Sequence, residues 1–188
     1  MDTKIKQEII QQGYGQMVTS KLRQRWEGYL LTFMFNQLRG SRRSVFRQME
    51  REIERVYATV LTRIVRKPHS ETYKNHLPIW IGCPDFPVPK HVKMELRDVV
   101  VNDGLHIHAI ALIPPTSRLP TSLDQHFQDY QDRYVRSGYP LQRVHATEIT
   151  SNPSYVVGYG FKSVKRGRVD LEEVIILPRS RSELDRDR

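Results

Sequence analysis

The stretch Leu105–Ile113 is apolar at every position except two, and both exceptions are histidines, His106 and His108. Bounded by Asn102-Asp103-Gly104 before it and Pro114-Pro115 after it, such a run reads as a buried strand. Strand side chains alternate between faces, so His106 and His108 point one way while Leu105, Ile107 and Ala109 point the other. A histidine in an apolar strand needs a polar partner to be buried. Two neutral imidazoles on one face of a rigid strand make half of a metal site. Histidines that only pack against their neighbours are the plain alternative.

That strand constrains its surroundings. An Asp-Gly dipeptide between apolar runs signals a hairpin, which makes Lys93–Val101 the expected antiparallel partner. With Asn102-Asp103-Gly104 as a three-residue loop and Gly104 left-handed, Val101 pairs with Leu105, Val100 faces His106 and Asp98 faces His108. Asp98 is then the first candidate for a third ligand, and a carboxylate beside two imidazoles suits Mg²⁺ or Mn²⁺. A two-residue loop would turn Asp98 away. Glu148 on a later strand is then the reserve, with Glu95 behind it.

The rest of the chain supplies the other layers. Residues 28–38, dense in aromatic and aliphatic side chains, read as a buried strand. Val45, Met49, Ile53, Val56, Val60 and Ile64 recur at helical spacing, and Pro68 stops that helix. Prolines at 78, 84, 87 and 89 leave Ile79-Trp80-Ile81 as at most a short edge strand. A helix over 122–136, with Leu123, Phe127, Tyr130 and Tyr134 inward, a strand over 143–150 and a short strand over 173–177 complete the pattern. The order β-α-β-β-α-β-α-β with an antiparallel hairpin favours an α+β fold, a central antiparallel sheet flanked by helices. At 188 residues the chain suits one domain, expected over 1–178 with its core from about residue 28, before a disordered polar tail at 179–188.

A second segment, Asn152-Pro153-Ser154-Tyr155-Val156-Val157-Gly158-Tyr159-Gly160-Phe161-Lys162, begins with a good N-cap and a proline at the first helical position. As a helix it stacks Tyr155, Tyr159 and Lys162 on one face, leaving Val156, Val157 and Phe161 to face a core. Gly158 and Gly160 each cost about 1 kcal/mol against alanine, which makes sense if something approaches the backbone closely. A tyrosine is mostly protonated near neutral pH, and a cation such as Lys162 favours the phenolate as a nucleophile. Lys165, Arg166 and Arg168 extend the positive charge. Thirty Lys and Arg against 21 Asp and Glu give a net charge of +9, which favours a polyanionic partner.

No apolar run approaches the ~20 residues that span a bilayer, and the amino terminus lacks the apolar core of a signal peptide. The lone Cys83 cannot form an internal disulfide. A cytoplasmic protein without a membrane partner is the expectation.

Three landmarks now stand in order: Leu31-Thr32-Phe33-Met34-Phe35, His106-Ile107-His108, and Tyr155 and Tyr159 with Lys162. This arrangement resembles the HUH endonuclease superfamily, in particular the rolling-circle replication initiators (Rep proteins) of plasmids and single-stranded DNA phages. The first strand is similar to the family's opening hydrophobic motif around Thr-Leu-Thr, and His106 and His108 match its metal-binding pair. Tyr159-Gly160-Phe161-Lys162 matches the single-tyrosine Tyr-x-x-Lys motif, and Tyr155 sits where two-tyrosine initiators carry a second nucleophile. The lysine that commonly precedes the second tyrosine is here Gly158.

The resemblance implies a ferredoxin-like sheet and metal-assisted nicking and joining of single-stranded DNA at an origin hairpin, through a 5′-phosphotyrosine. Lys162, Lys165, Arg166 and Arg168 would hold the strand. With no Gly-x-x-x-x-Gly-Lys-Ser/Thr loop in the chain, a host helicase would unwind the duplex. A single-strand transposase of the same superfamily, a catalytically inactive DNA-binding regulator and an unrelated basic α+β protein are the rival expectations.

Overall fold

A computed structural model describes residues 3–86 and 101–179. Helix α1 (Thr3–Arg23) leads into strand β1 (Glu27–Phe35), helix α2 (Arg42–Ile64) and strand β2 (Ile79–Asp85). Strand β3 (His106–Ile113) follows, then two short helices, α3 (Leu123–Asp129) and α4 (Gln131–Tyr134), and strand β4 (Leu141–Glu148). Helices α5 (Pro153–Gly160) and α6 (Lys162–Lys165) precede the last strand, β5 (Ile175–Leu177).

The sheet has five strands in the order β4-β1-β3-β2-β5, and every pairing is antiparallel. The first four strands and the helices between them give the split β-α-β order of ferredoxin-like folds. The fold class expected from the sequence, an antiparallel sheet flanked by helices, is the one observed.

Alternation divides the sheet into two faces. Odd residues of β1 and β3 (Tyr29, Leu31, Phe33, Ile107, Ala109 and Ala111) pack with Trp80 against α2, α3 and α4. The six apolar residues whose spacing predicts α2 are all buried there, and the Ser41 hydroxyl caps the helix by accepting from the Ser44 N–H. Ile79, Ile81, Cys83, Ile110 and Leu112 pack on the opposite face, against Val18 of α1, Val157 of α5, and Phe161 and Val164.

Several expectations are corrected. Residues 79–85 form not a short edge strand but an inner one, hydrogen-bonded to β3 on one side and β5 on the other, with all seven residues buried. Pro84 is tolerated near the strand's end, close to where ladder bonding stops. The expected hairpin partner of β3 is not one of the strands that the described residues place beside it. From His106 to Ile113 the edges of β3 are taken by β1 and β2, and residues 93–100 themselves lie outside the described ones.

Asn102, Asp103 and Gly104 are all left-handed, with φ of 52°, 54° and 73°. Their anchor is the end of β1: the Asn102 side chain accepts from Leu38 N at 2.8 Å and donates to the Asn36 carbonyl at 2.9 Å. The helix expected over 122–136 breaks at Tyr130 (φ −124°, ψ 30°), and a contact of 2.7 Å between His126 Nε2 and the Tyr134 hydroxyl spans the break. The sequence pattern predicts nothing before residue 28, where α1 is found. Of the expected tail only Arg179 is described, and it is ion-paired with Glu50 and Glu54 of α2.

Candidate metal centre and its tyrosine helix

The centre is assembled by strand register. Thr32 of β1 and Cys83 of β2 both pair with His108, and Asp85 pairs with His106, so all of these side chains share one face of the sheet. His106 and His108 bring their Nε2 atoms to 3.2 Å from each other. Asp85 Oδ2 lies 3.3 Å from the first and 3.5 Å from the second. Ligands at about 2.1 Å from a common ion, separated by 90–110°, stand about 3.0–3.4 Å apart; two of the three observed separations fall in that range and the third, 3.5 Å, lies just above it. Asp85, His106 and His108 form a group that could hold a metal ion.

Each member is fixed from behind. The His106 Nδ1–H donates to the Gly104 carbonyl at 2.9 Å, which leaves the Nε2 lone pair of a neutral ring aimed at the centre. His108 Nδ1 contacts the Thr32 hydroxyl at 3.1 Å. The Ser163 hydroxyl donates to Asp85 Oδ1 at 2.6 Å. Such outer partners set ring orientation and tautomer.

Electrostatics favour the ligand forms. Burial, and then the neighbouring His106, push His108 down to about 4, against the attraction of Asp85, so its imidazole is neutral at neutral pH. Burial alone would raise the Asp85 carboxyl, but the polar groups of His106, Lys162 and Ser163 facing it outweigh this and hold it well below the usual carboxylate range. Asp85 is fully buried, and its Oδ2 has charged neighbours but no well-directed hydrogen bond. A buried anionic oxygen of that kind, converging with two imidazole nitrogens, is a donor set suited to a divalent cation. Cys83, on the same face, is pushed up to about 12 by burial and then by the charge of Asp85; it stays a thiol.

Helix α5 borders the cluster. Asn152, itself left-handed, caps it by accepting from Tyr155 N, with Pro153 in the first turn. Val157 and Phe161 face the core as expected. Gly158 has a specific neighbour: a Cβ there would lie 3.0 Å from Gln11 Nε2, so the close approach is by α1. The helix ends at Gly160, and Lys162 opens the separate α6 instead of continuing the same stripe.

Lys162 nonetheless reaches back, its Nζ 4.2 Å from the centroid of the Tyr159 ring and 2.7 Å from Asp85 Oδ2. The Tyr159 ring lies 5.3 Å from that of His108 and is 38% exposed. Tyr155, one turn earlier, is 68% exposed, and among the described residues it makes no ring contact with the cluster. Lys165, at the end of α6, and Arg166 and Arg168 just after it are exposed.

The structure thus brings His106, His108, Tyr159 and Lys162 together and adds Asp85, which the sequence reading did not single out. Asp98 and Glu95 lie outside the described residues. Glu148 pairs with Tyr29 and therefore stands on the sheet's opposite face, away from the histidines. A signal for Asp85 existed: Ile79, Ile81, Cys83 and Asp85 form a period-two row that is apolar until its last member. Comparison with protein-family models, with curated proteins and with solved structures finds no match for this chain.

Proposed function

We propose that this protein nicks and rejoins single-stranded DNA by transesterification, with Tyr159 as nucleophile and Mg²⁺ or Mn²⁺ held by Asp85, His106 and His108. The observation that carries the reading is the placement of a solvent-reachable tyrosine, with a lysine over its ring, against the mouth of a buried two-histidine, one-carboxylate cluster. The mixed nitrogen and oxygen donor set, open toward Tyr159, favours a hard divalent ion over a closed structural zinc site.

When bound, the metal would polarise the scissile phosphate. The chain's own groups do the rest. Tyr159 Oη forms the bond to phosphorus and releases its proton to solvent at the exposed edge of the ring. The bond from phosphorus to the 3′-oxygen breaks, that oxygen takes up a proton, and the downstream strand stays attached as a 5′-phosphotyrosine. Lys162, over the Tyr159 ring, meets the negative charge that develops on phosphorus. Because the phosphoester is exchanged rather than hydrolysed, attack by a 3′-hydroxyl reverses the step without a nucleotide cofactor.

A path for the strand is available on the same sheet face. Arg143, His145 and Thr147 of β4 are exposed beside Met34 and Thr32, and Lys165, Arg166 and Arg168 are exposed in the segment that follows the tyrosine helix. The order of these elements, the histidine strand before the tyrosine helix, supports a replication initiator of the HUH type over conjugative relaxases, circularly permuted relatives in which the tyrosine precedes the histidines. Tyr155 serves as a second nucleophile or positions the strand.

The test uses a random-sequence pool of single-stranded oligonucleotides labelled at the 3′ end. With Mn²⁺, wild type should retain label through denaturation, and sequencing the captured DNA reads the preferred site. Tyr159→Phe should lose most of the adduct. Adduct mapping to Tyr155 alone would move the nucleophile, and no adduct from wild type on any sequence would overturn the reading.

A further inference from the structure

The cation in contact with the cluster's carboxylate is the ammonium of Lys162, 2.7 Å from Asp85 Oδ2. We infer that Lys162 and the divalent metal compete for Asp85, so that metal binding expels the ammonium and hands it to the phosphate beside Tyr159. The inference rests on the metal centre proposed above and adds a role for Lys162 that a Tyr-x-x-Lys pattern does not contain: in the metal-free protein it guards the site.

The geometry sets the two cations against each other. A metal ion bound by Oδ2 and the two Nε2 atoms would sit within bonding distance of the oxygen that Lys162 now contacts, placing a double positive charge against a single one in a buried setting. That repulsion favours release of the singly charged ammonium. Asp85 cannot follow the lysine, because it is fully buried, held by Ser163 through its other oxygen and fixed in the ladder opposite His106.

Lys162 is built to move. Its side chain is 21% exposed, it begins a four-residue helix, and a flexible four-carbon stem carries its charge. Its second contact, with the face of the Tyr159 ring at 4.2 Å, is independent of Asp85 and keeps a displaced ammonium near the phenol. Charge accounting agrees. With lysine in place, the aspartate and the ammonium cancel. With the metal in place, the trio carries a net positive charge, and the freed lysine adds another where an anionic strand arrives.

Two measurements on the full chain test this, both without turnover. Calorimetric titration with Mn²⁺ should show Lys162→Met binding about tenfold more tightly than wild type or better, because an uncharged side chain no longer occupies the carboxylate. Separately, brief acylation of wild type by an activated ester, read by peptide mass spectrometry, should modify Lys162 several-fold faster with saturating Mn²⁺ than with chelator. Exposed Lys165 serves as the unchanged internal reference.

Equal Mn²⁺ affinity in the two proteins, or Lys162 labelling indifferent to Mn²⁺ while wild type binds it, overturns the exchange and leaves the metal centre standing. Failure of both proteins to bind Mn²⁺ removes the centre itself. If Lys162→Met does not fold, the labelling of wild type decides alone.

Discussion

Thr32→Val isolates the support behind the centre. The substitution exchanges a hydroxyl for a methyl of the same shape, so it opens no cavity and disturbs no strand propensity. What it removes is the 3.1 Å contact with His108 Nδ1. A hydroxyl can serve that nitrogen in two ways. It donates when the ring proton sits on Nε2, where it can bridge to His106, and it accepts when the proton sits on Nδ1 and Nε2 is free for a metal. Valine can do neither. Loss of one partly buried hydrogen bond, with the imidazole nitrogen left unpaired, costs about 1–2 kcal/mol. For a chain of this size that lowers the melting temperature by roughly 2–8 °C.

The effect on metal binding should be larger in proportion, since outer partners of ligating histidines are worth about 10–100-fold in affinity. Calorimetric titration with Mn²⁺ and thermal unfolding in chelator read the two effects separately. Thr32→Ser keeps the hydroxyl and should stay close to wild type in affinity. Unchanged Mn²⁺ binding in Thr32→Val, or a serine variant as weak as the valine one, would refute the idea that Thr32 sets the ring.

Further outcomes follow from other contacts. Asp85→Asn should abolish the Mn²⁺-dependent rise in melting temperature that a native-state ligand produces, and should also lower stability in chelator, because Lys162 loses its counter-charge; a retained Mn²⁺ shift would exclude Asp85 as a ligand. Burial, and then the charges of Arg133 and Arg63, lower the pKa of His126, and burial lowers His108 to about 4. Unfolded histidines therefore protonate first as pH falls below about 6.5. Stability in chelator should be full above that pH and decline between it and about 4, with a shallower slope in His126→Gln; a flat melting temperature across this window would contradict neutral buried histidines. Lys165→Ala with Arg166→Ala should reduce the slope of log affinity against log salt for single-stranded DNA by about 1.4, at roughly 0.7 per phosphate contact, whereas an unchanged slope would place the strand elsewhere.

The parts of this molecule legible in its sequence are those whose pattern repeats. Helix α2 declares itself through six buried residues at helical spacing, and β3 through an apolar run with two histidines on one face. Helix α5 declares itself through Asn152-Pro153. What escaped depends on partners distant in the chain. Strand β2 is disguised by Gly82 and Pro84, and its inner position is set by β3 and β5, which the local sequence around Asp85 does not contain. The Asn-Asp-Gly turn carries the chemistry of a hairpin, yet its left-handed residues serve a clasp on β1. Helix α1 has few apolar residues and leaves Ile5 and Ile9 exposed. It is held by contacts no local pattern announces, among them the stacking of Tyr14 on Phe161 at 5.3 Å.

The sheet order places the centre across three neighbouring strands whose contributions, Thr32, Asp85 and the histidine pair, come from widely separated stretches of chain. No local fragment contains enough of the site to bind an ion, unlike a zinc finger, whose ligands lie close in sequence. A metal held by this cluster would therefore not nucleate folding; it would recognise a sheet that is already closed. Its influence would fall on the lifetime of the folded protein rather than on the speed of reaching it. An ion bound after the strands have registered would slow their separation, and a chelator would shorten the residence in the native state without delaying arrival there.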